Sequence, residues 1–181
     1  QGGADPSLGN RVITTAVPFL LIAGDARSAG MGDIGVATSA DAFSQQWNAS
    51  KYAFAISKNG VGVTYTPYLS QLVNDIFLGN ITYYNRIDEK SAFAASFRYF
   101  SLGEIELRET ADQTPLIVKP NELALDVSYS LRLSERFSMG VTGRFINSDL
   151  KIQAADADAT SASSFAVDVS TDNGLSWNWN I

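Results

Sequence analysis

The stretch from Asn121 to Ser134 reads NELALDVSYSLRLS and alternates between apolar and polar side chains. One face would carry Leu123, Leu125, Val127, Tyr129, Leu131 and Leu133, and the other Ala124, Asp126, Ser128, Ser130 and Arg132. A period of two is typical of a β-strand whose two faces meet different surroundings. The stretch therefore predicts a long strand with one apolar and one polar face.

The same alternation recurs on both sides of this strand. After a short polar turn at residues 134–136, Phe137, Met139, Val141 and Phe145 share one face, with Ser138, Thr142 and Arg144 opposite. Further strands are predicted at Val61 to Thr66, Phe77 to Asn85, Phe93 to Tyr99 and Phe165 to Val169, with a polar turn at residues 86–90. Short polar turns between alternating runs indicate antiparallel hairpins.

The predicted strands are long, and aromatic side chains stand near their ends. Strands of soluble domains typically span about five or six residues, whereas several here reach about ten, which is enough for a tilted strand to cross a bilayer. The aromatic residues are Tyr65, Tyr68, Tyr83, Tyr84, Tyr99 and Phe100. These features favour an all-β fold, an antiparallel transmembrane β-barrel. The alternative is a water-soluble sandwich whose apolar face is its core.

Residues 1–59 follow a different pattern, rich in Gly, Ala, Ser and Asp, without sustained alternation. Asp25 is placed to cap a short helical turn that begins at Ala26, and Asp41 one that begins at Ala42. Irregular backbone cannot face lipid, because its polar groups would be unpaired. We therefore expect a plug with short helical turns over residues 1–59 and the strands and loops of the barrel over residues 60–181.

Gly30 to Gly35 reads GMGDIG, the spelling of a dinucleotide-binding loop. Such a loop needs a strand that runs into its first glycine, a helix that leaves its last, and an acidic residue about 20 positions on. Here a polar stretch precedes the loop, Asp33 would repel a phosphate, and residues 52–56 contain no carboxylate. We interpret Gly30, Gly32 and Gly35 as packing positions of the plug.

The composition of the 181 residues excludes several kinds of active site and metal site. The chain has no Cys and no His, which excludes disulfides, thiol nucleophiles, the Ser-His-Asp triad and the usual zinc and iron sites. Its net charge of −6 argues against a nucleic-acid partner, which requires clustered Lys and Arg. We expect no enzymatic activity, no cofactor and no metal site.

The run DARSAGMGDIGVAT at residues 25–38, followed by Asp41-Ala42 and by QWNASKYAF at residues 46–54, resembles the N-terminal region of the PorV family. These are outer-membrane barrel proteins of the type IX secretion system of Bacteroidetes. They are similar to the wider FadL-like barrels, whose N-terminal segment plugs the lumen. The chain departs from the pattern at Ala49, where Pro usually follows the Asn, and at Gly24, where Pro usually precedes the Asp.

The resemblance implies a function without catalysis, in the outer membrane of a Gram-negative bacterium of the Bacteroidetes. Members of the family act as shuttles that collect secreted cargo with a C-terminal signal domain from a giant translocon barrel. They deliver it to an attachment complex with a sortase-like protein, which links the cargo to surface lipopolysaccharide. The wider superfamily leaves one alternative open: transport of fatty acids or other hydrophobic small molecules.

Two sets of residues are candidates for functional sites. The plug motif comprises Asp25, Arg27, Gly30, Gly32, Asp33, Gly35, Trp47 and Asn48; its charges are expected to bond within the plug, and its glycines to lie against the barrel wall. The connection from Leu102 to Glu122 carries Glu104, Glu106, Arg108 and Glu109. It is either a strand that extends past the bilayer, where a partner would dock, or a solvated loop.

Two further expectations concern the strands themselves. Arg98, Asp126 and Arg144 lie on the polar face and are expected to form a network in the lumen, since barrel interiors are polar. The alternation gives about six or seven strands, counting the tail Leu175 to Ile181, whereas bilayer barrels start at about eight. We therefore expect the sequence to form part of a barrel.

Overall fold

In the computed structural model, which describes residues 17–69, 75–107, 116–149 and 161–174, the chain is mostly antiparallel β-sheet with short helical turns. The helical turns come first: a 3-10 helix Pro18–Leu21, α1 Ala26–Gly30, α2 Ser44–Trp47 and a second 3-10 helix Ala49–Phe54. The strands follow: β1 Asn59–Pro67, β2 Ile76–Arg86, β3 Ser91–Leu102, β4 Ile105–Leu107, β5 Leu116–Val118, β6 Asn121–Ser134, β7 Phe137–Asp149 and β8 Ala162–Asp172.

Six of the strands form one sheet in the order β1-β2-β3-β6-β7-β8, and every neighbouring pair is antiparallel. This confirms the antiparallel strands predicted from the alternation, and β6 has the predicted bounds. Within the described ranges, β1 and β8 each pair with a single neighbour, so the sheet is open at both edges and no closed barrel is present there. Residues 1–16 and the tail 175–181 lie outside the described residues.

The sheet buries its polar face and exposes its apolar face. On β6, Asp126 and Ser128 are each 3% exposed, whereas the alternating Leu125 and Val127 are 45% and 55% exposed. The same apolar face continues over the other strands, with Val61, Val63, Tyr65, Ile81, Phe93, Phe97, Val141, Phe165, Val167 and Val169 exposed. A sheet in water covers its apolar face instead, and the soluble-sandwich alternative required Leu125 and Val127 in a buried core.

The connections between strands differ in length at the two ends of the sheet. Short turns at residues 87–90 and 135–136 join β2 to β3 and β6 to β7 at one end, the short-turn end. The ends of β1, β3 and β7 from which the longer connections leave are together at the opposite end of the sheet, here called the long-connection end. There β4 and β5 form a two-stranded hairpin that continues the β3–β6 pair, with Leu102 N donating to Pro120 O at 3.1 Å.

Candidate functional site

The helical turns of residues 17–55, here called the plug segment, cover the polar face of the sheet. The second 3-10 helix contacts β3, β6, β7 and β8. Tyr52 of this helix is buried, and its ring stacks on that of Tyr84 on β2 with centroids 4.7 Å apart. Ala92 and Ala94 on β3 are fully buried in the same cluster. Small side chains on the inward face of β3 therefore leave room for a tyrosine ring.

Hydrogen bonds join the plug segment to three neighbouring strands. They run from Ser128 Oγ on β6 to Gln45 Oε1 at 2.6 Å, from Ser138 Oγ on β7 to the Ser50 carbonyl at 2.9 Å, and from Asn48 Nδ2 to the Thr171 carbonyl on β8 at 3.0 Å. The polar side chains that form these bonds are buried, and buried polar groups require hydrogen-bond partners. These three strands are thus bonded to the plug segment through buried polar groups.

The first 3-10 helix packs on the sheet nearer to the long-connection end. Phe19 is fully buried and packs in a cluster with Ala124 and Ile146. Arg98 on β3 donates from Nη1 to the Leu20 carbonyl at 3.3 Å. The packing of Phe19 and the hydrogen bond from Arg98 thus attach this turn to the sheet.

Of the three charged residues expected to form a network, Asp126 and Arg144 are joined directly. They are register partners on β6 and β7, with Nε and Oδ1 2.7 Å apart and a second bond of 3.2 Å between Nη2 and Oδ2. Arg144 also lies 3.6 Å from Asp168 on β8. Arg98 lies on the same polar face but bonds to the plug segment.

Two of the three charged residues of the plug motif, Asp25 and Arg27, bond within the plug segment. Asp25 Oδ2 accepts from the Ser28 amide at 2.9 Å and caps α1, as the sequence predicted. Arg27 forms an ion pair of 3.0 Å with Asp41. Asp41 also accepts from the Phe43 amide, but the helical turn that follows, α2, begins at Ser44 and not at Ala42 as predicted.

The three glycines of GMGDIG have different surroundings, and among the described residues the nearest neighbour of any of them lies in the plug segment and not in a strand. A Cβ at Gly35 would come within 2.3 Å of the Trp47 ring, which belongs to the plug segment itself. Gly32 has a φ of +79°, a backbone that favours glycine. A Cβ at Gly30 would meet no atom within 4 Å. Gly30 and Gly32 are exposed, because the loop folds back on Trp47 instead of turning toward the sheet.

Asn48 takes over part of the task that proline has in the family pattern. Its Oδ1 accepts from the Ser50 amide at 3.1 Å and caps the second 3-10 helix, while its Nδ2 binds β8. The side chain thereby fixes the turn at the position where Ala49 replaces the usual Pro. The neighbouring Trp47 packs on Gly35, and its Nε1 is buried.

Lys51 is a residue of the site that sequence reasoning missed. It is 2% exposed, and its Nζ donates to the Gly35 carbonyl at 2.7 Å and to Thr38 Oγ1 at 3.1 Å. Burial lowers the pKa of Lys51, an effect that the negative charges of Asp41 and Asp172 partly oppose. Lys51 is the only charged residue in the run QWNASKYAF, and this was the available sign of a special role. A lysine is almost never fully buried unless it is paired.

At the long-connection end, the candidate partner-binding residues lie on and beside the β4–β5 hairpin. Glu104 forms an ion pair with Lys119 across the hairpin and raises the pKa of that lysine. Glu106 lies on β4 opposite Ile117 and is exposed. Arg108 and Glu109 lie outside the described residues. Of the two alternatives for this connection, the structure has the strand that extends beyond the main sheet.

A cleft of about 610 Å³ lies between the plug segment and the end of β1. Its lining residues are Leu21, Ile22, Ala23, Asp25, Ala26, Ala29, Asp33, Thr66 and Tyr68. Two carboxylates and two hydroxyl groups thus stand among apolar side chains. This cleft could not be predicted from the sequence, because its walls come from segments about 40 residues apart in the chain.

No helix within the described ranges has the length and apolar character needed to span a membrane. Comparison with curated proteins found no match. A scan against family models matched residues 5–173 to the type IX secretion system protein PorV. The match covers nearly all of the sequence and includes both the plug segment and the sheet. The chain belongs to the PorV family and has its role in type IX secretion.

Proposed function

We propose that the sheet is part of the wall of an outer-membrane β-barrel and that the plug segment lies in its lumen. The observation that carries this proposal is the reversed burial of the sheet: Asp126 and Ser128 are covered, and Leu125 and Val127 are open. Such a surface is unfavourable in water but matches lipid outside and a polar lumen inside. Membership of the PorV family supports an outer-membrane location.

The distribution of aromatic residues on the exposed face supports the same proposal. Near the long-connection end, the rings of Tyr65, Phe77 and Tyr99 lie side by side, with centroid distances of 5.2 and 5.9 Å. Near the short-turn end, Tyr83 and Phe93 are 5.9 Å apart. At about 3.4 Å per residue, β2 rises about 20 Å from Phe77 to Tyr83. With the tilt of about 40° that barrel strands have, this rise covers about 16 Å along the membrane normal, which lies within an apolar band of about 25 Å.

Within type IX secretion, the chain acts as a shuttle without catalysis. It binds cargo with a C-terminal signal domain at the translocon barrel and delivers it to the sortase-like attachment complex. The strand ends that lead into the long connections are all at one end of the sheet. Outer-membrane barrels carry their long extracellular loops at one end. The β4–β5 hairpin, with Glu104 and Glu106, extends the wall at this end and presents the surface that cargo contacts.

Transport of fatty acids is the second candidate function, and the apolar cleft beside β1 is the observation that favours it. The carboxylates that line this cleft are those of Asp25 and Asp33. Their negative charge would repel the carboxylate of a fatty acid. The negative charge of the described cleft therefore disfavours fatty-acid transport and favours the shuttle role.

Co-purification tests the shuttle role. The tagged full-length protein is extracted from native membranes in a mild detergent, and its partners are identified by mass spectrometry. We expect the translocon barrel and cargo with signal domains. The variant Glu104→Lys/Glu106→Lys should lose most of the cargo, while the matched reversal Asp88→Lys/Glu89→Lys at the short-turn end should keep it. Bound acyl chains without any protein partner would establish the transporter, and equal cargo with both variants would refute the role of the hairpin.

A further inference from the structure

A short part of the plug segment, Phe19 to Gly24, crosses the polar face of the sheet at a single level and is here called the strap. The residues of the sheet that contact it form a row in which each is the register partner of the next: Thr64 on β1, Asn80 on β2, Arg98 on β3, Ala124 on β6 and Ile146 on β7. This row is nearer to the long-connection end than to the short-turn end. The strap therefore covers one level of five neighbouring strands.

The sheet holds the strap mainly by its main-chain carbonyl groups. Arg98 donates from Nη1 to the Leu20 carbonyl at 3.3 Å. Asn80 Nδ2 and Thr64 Oγ1 both donate to the Gly24 carbonyl, the former at 3.4 Å. The bonds of 3.3 and 3.4 Å are longer than the usual N–H···O range of about 2.7–3.2 Å. Two of the three hydrogen bonds from the sheet to the strap are therefore weak.

Two of the donors beneath the strap also have an unsatisfied atom. Asn80 and Arg98 are 2% and 4% exposed. Asn80 Oδ1 and Arg98 Nε are buried and form no hydrogen bond with any residue that the structure describes. A buried polar atom without a partner is unfavourable, and contact with water would provide the partner. The strap thus covers polar groups that gain hydrogen bonds when it leaves the sheet.

The second 3-10 helix is held more firmly. Ser138 Oγ on β7 donates to the Ser50 carbonyl at 2.9 Å. An added Cβ at Gly140 on β7 would come within 2.9 Å of the Ser50 amide nitrogen, so the helix and the strand are in direct contact. Tyr52 packs in a buried cluster that includes Ala94 on β3. Among the described residues, no buried side-chain atom of this helix lacks a hydrogen bond.

We propose that the strap is a gate, which leaves the sheet while the second 3-10 helix stays bound. This movement breaks the three bonds from the sheet and the two that Gln46 of α2 forms with Ile22 and Gly24. It exposes the row from Thr64 to Ile146. In the lumen of the proposed barrel, the gate frees the half that is nearer to the long-connection end. That consequence rests on the proposed function, whereas the movement itself does not.

Thiol labelling tests the gate, because the chain contains no Cys and a single introduced cysteine is a unique probe. Ala124→Cys places the thiol beneath the strap, and Ala94→Cys places it beneath the second 3-10 helix; the two alanines are 2% and 0% exposed. The full-length protein in a non-ionic detergent is mixed with a water-soluble maleimide, and the reaction is followed by mass spectrometry. A buried thiol reacts from the open form, so the rate reports the open fraction.

We expect Ala124→Cys to react about tenfold faster than Ala94→Cys, since the free energy of local opening differs between parts of a structure. Thr64→Val removes one donor to the strap. It should speed the reaction of Ala124→Cys about fivefold, as loss of one hydrogen bond allows, while Ala94→Cys stays slow.

The matched control is Thr142→Val, because Thr142 is a threonine of the same polar face on β7 but forms no hydrogen bond with the strap in the described structure. It should leave both rates unchanged, and heat-modifiable gel migration checks that each variant is folded. Equal rates at the two cysteines would show that the plug segment opens as one unit and would overturn the gate. Equal effects of Thr64→Val and Thr142→Val would overturn the role of the row in holding the strap. Neither result requires a membrane or cargo, so the barrel wall and the shuttle role are judged separately by their own tests.

Discussion

Asp126 on β6 and Arg144 on β7 face each other across neighbouring strands and form two hydrogen bonds, of 2.7 and 3.2 Å. The carboxylate is 3% exposed, and Arg98, on the same face of β3, carries a second buried guanidinium. One buried carboxylate therefore stands among two cations, and the pair fixes the register of β6 against β7.

Removal of that carboxylate should destabilise the sheet. In Asp126→Ala, the buried Arg98 loses the counter-charge of Asp126, and Arg144 keeps only the exposed Asp168 at 3.6 Å. Loss of one partner of a buried pair costs about 3–5 kcal/mol. Urea unfolding in lipid vesicles measures the change. The control is Asp168→Ala, since Asp168 is more than half exposed and lies 3.6 Å from Arg144; it should change stability by less than about 1 kcal/mol. Equal effects of the two substitutions would contradict this account of the pair.

The exposed apolar face provides the sharpest test of a membrane setting. Val127→Arg places a charge in the middle of β6, where lipid would make it unfavourable by about 2–4 kcal/mol. Leu133→Arg places the same charge near the strand end, where about 0–1 kcal/mol is expected. Both side chains are about 55% exposed, so in water the two variants should be alike. The measurement is again urea unfolding in vesicles, and absence of a depth dependence would contradict the barrel wall.

Features set by neighbours in sequence could be predicted. The alternation of Leu125, Asp126, Val127 and Ser128 fixes both the strand and its two faces, because successive side chains point to opposite sides. The cap of α1 by Asp25 is equally local, since its partner Ser28 is three residues on. Such signals need no knowledge of the rest of the chain.

Features set by distant contacts could not be predicted. Lys51 is buried because Gly35 and Thr38 fold over it, and a lone lysine in an uncharged run does not indicate which residues will be its partners. The glycines of GMGDIG show the same limit. Their spelling indicates close packing, but Gly35 alone has a close neighbour, the Trp47 ring. A glycine can be required for close packing, for a positive φ or for neither. Which of these holds depends on the residues that the fold places beside it.

Substitution of the glycines should separate these roles. Gly35→Val would force the Trp47 ring to move, because even a Cβ would lie within 2.3 Å of it. Gly30→Ala should be neutral or stabilising by about 0.5–1 kcal/mol, since Gly30 lies in α1 with open space around it.

Limited proteolysis and single-channel conductance in planar bilayers measure this difference. Gly35→Val should expose the plug segment to protease and raise the conductance, with heat-modifiable gel migration as the check that the sheet persists. Gly32→Val should loosen the loop by about 1–3 kcal/mol, because Val does not tolerate a positive φ, and Gly32→Asn should be milder. Wild-type behaviour of Gly35→Val would show that Trp47 does not hold the loop.

Lys51 should make the stability of the plug segment depend on pH in the alkaline range. Because burial lowers its pKa in the folded protein, the unfolded chain holds this proton to a higher pH than the folded chain does. Stability rises with pH wherever the unfolded state binds more protons. Between the lowered pKa and the ordinary value of about 10.4, wild type should therefore gain stability relative to Lys51→Met, which cannot titrate. The measurement is the difference in unfolding free energy between the two proteins from pH 7.5 to 10.5. Tyrosine ionisation is shared by both and cancels in the difference, and a flat difference would show that Lys51 is solvated in the folded protein.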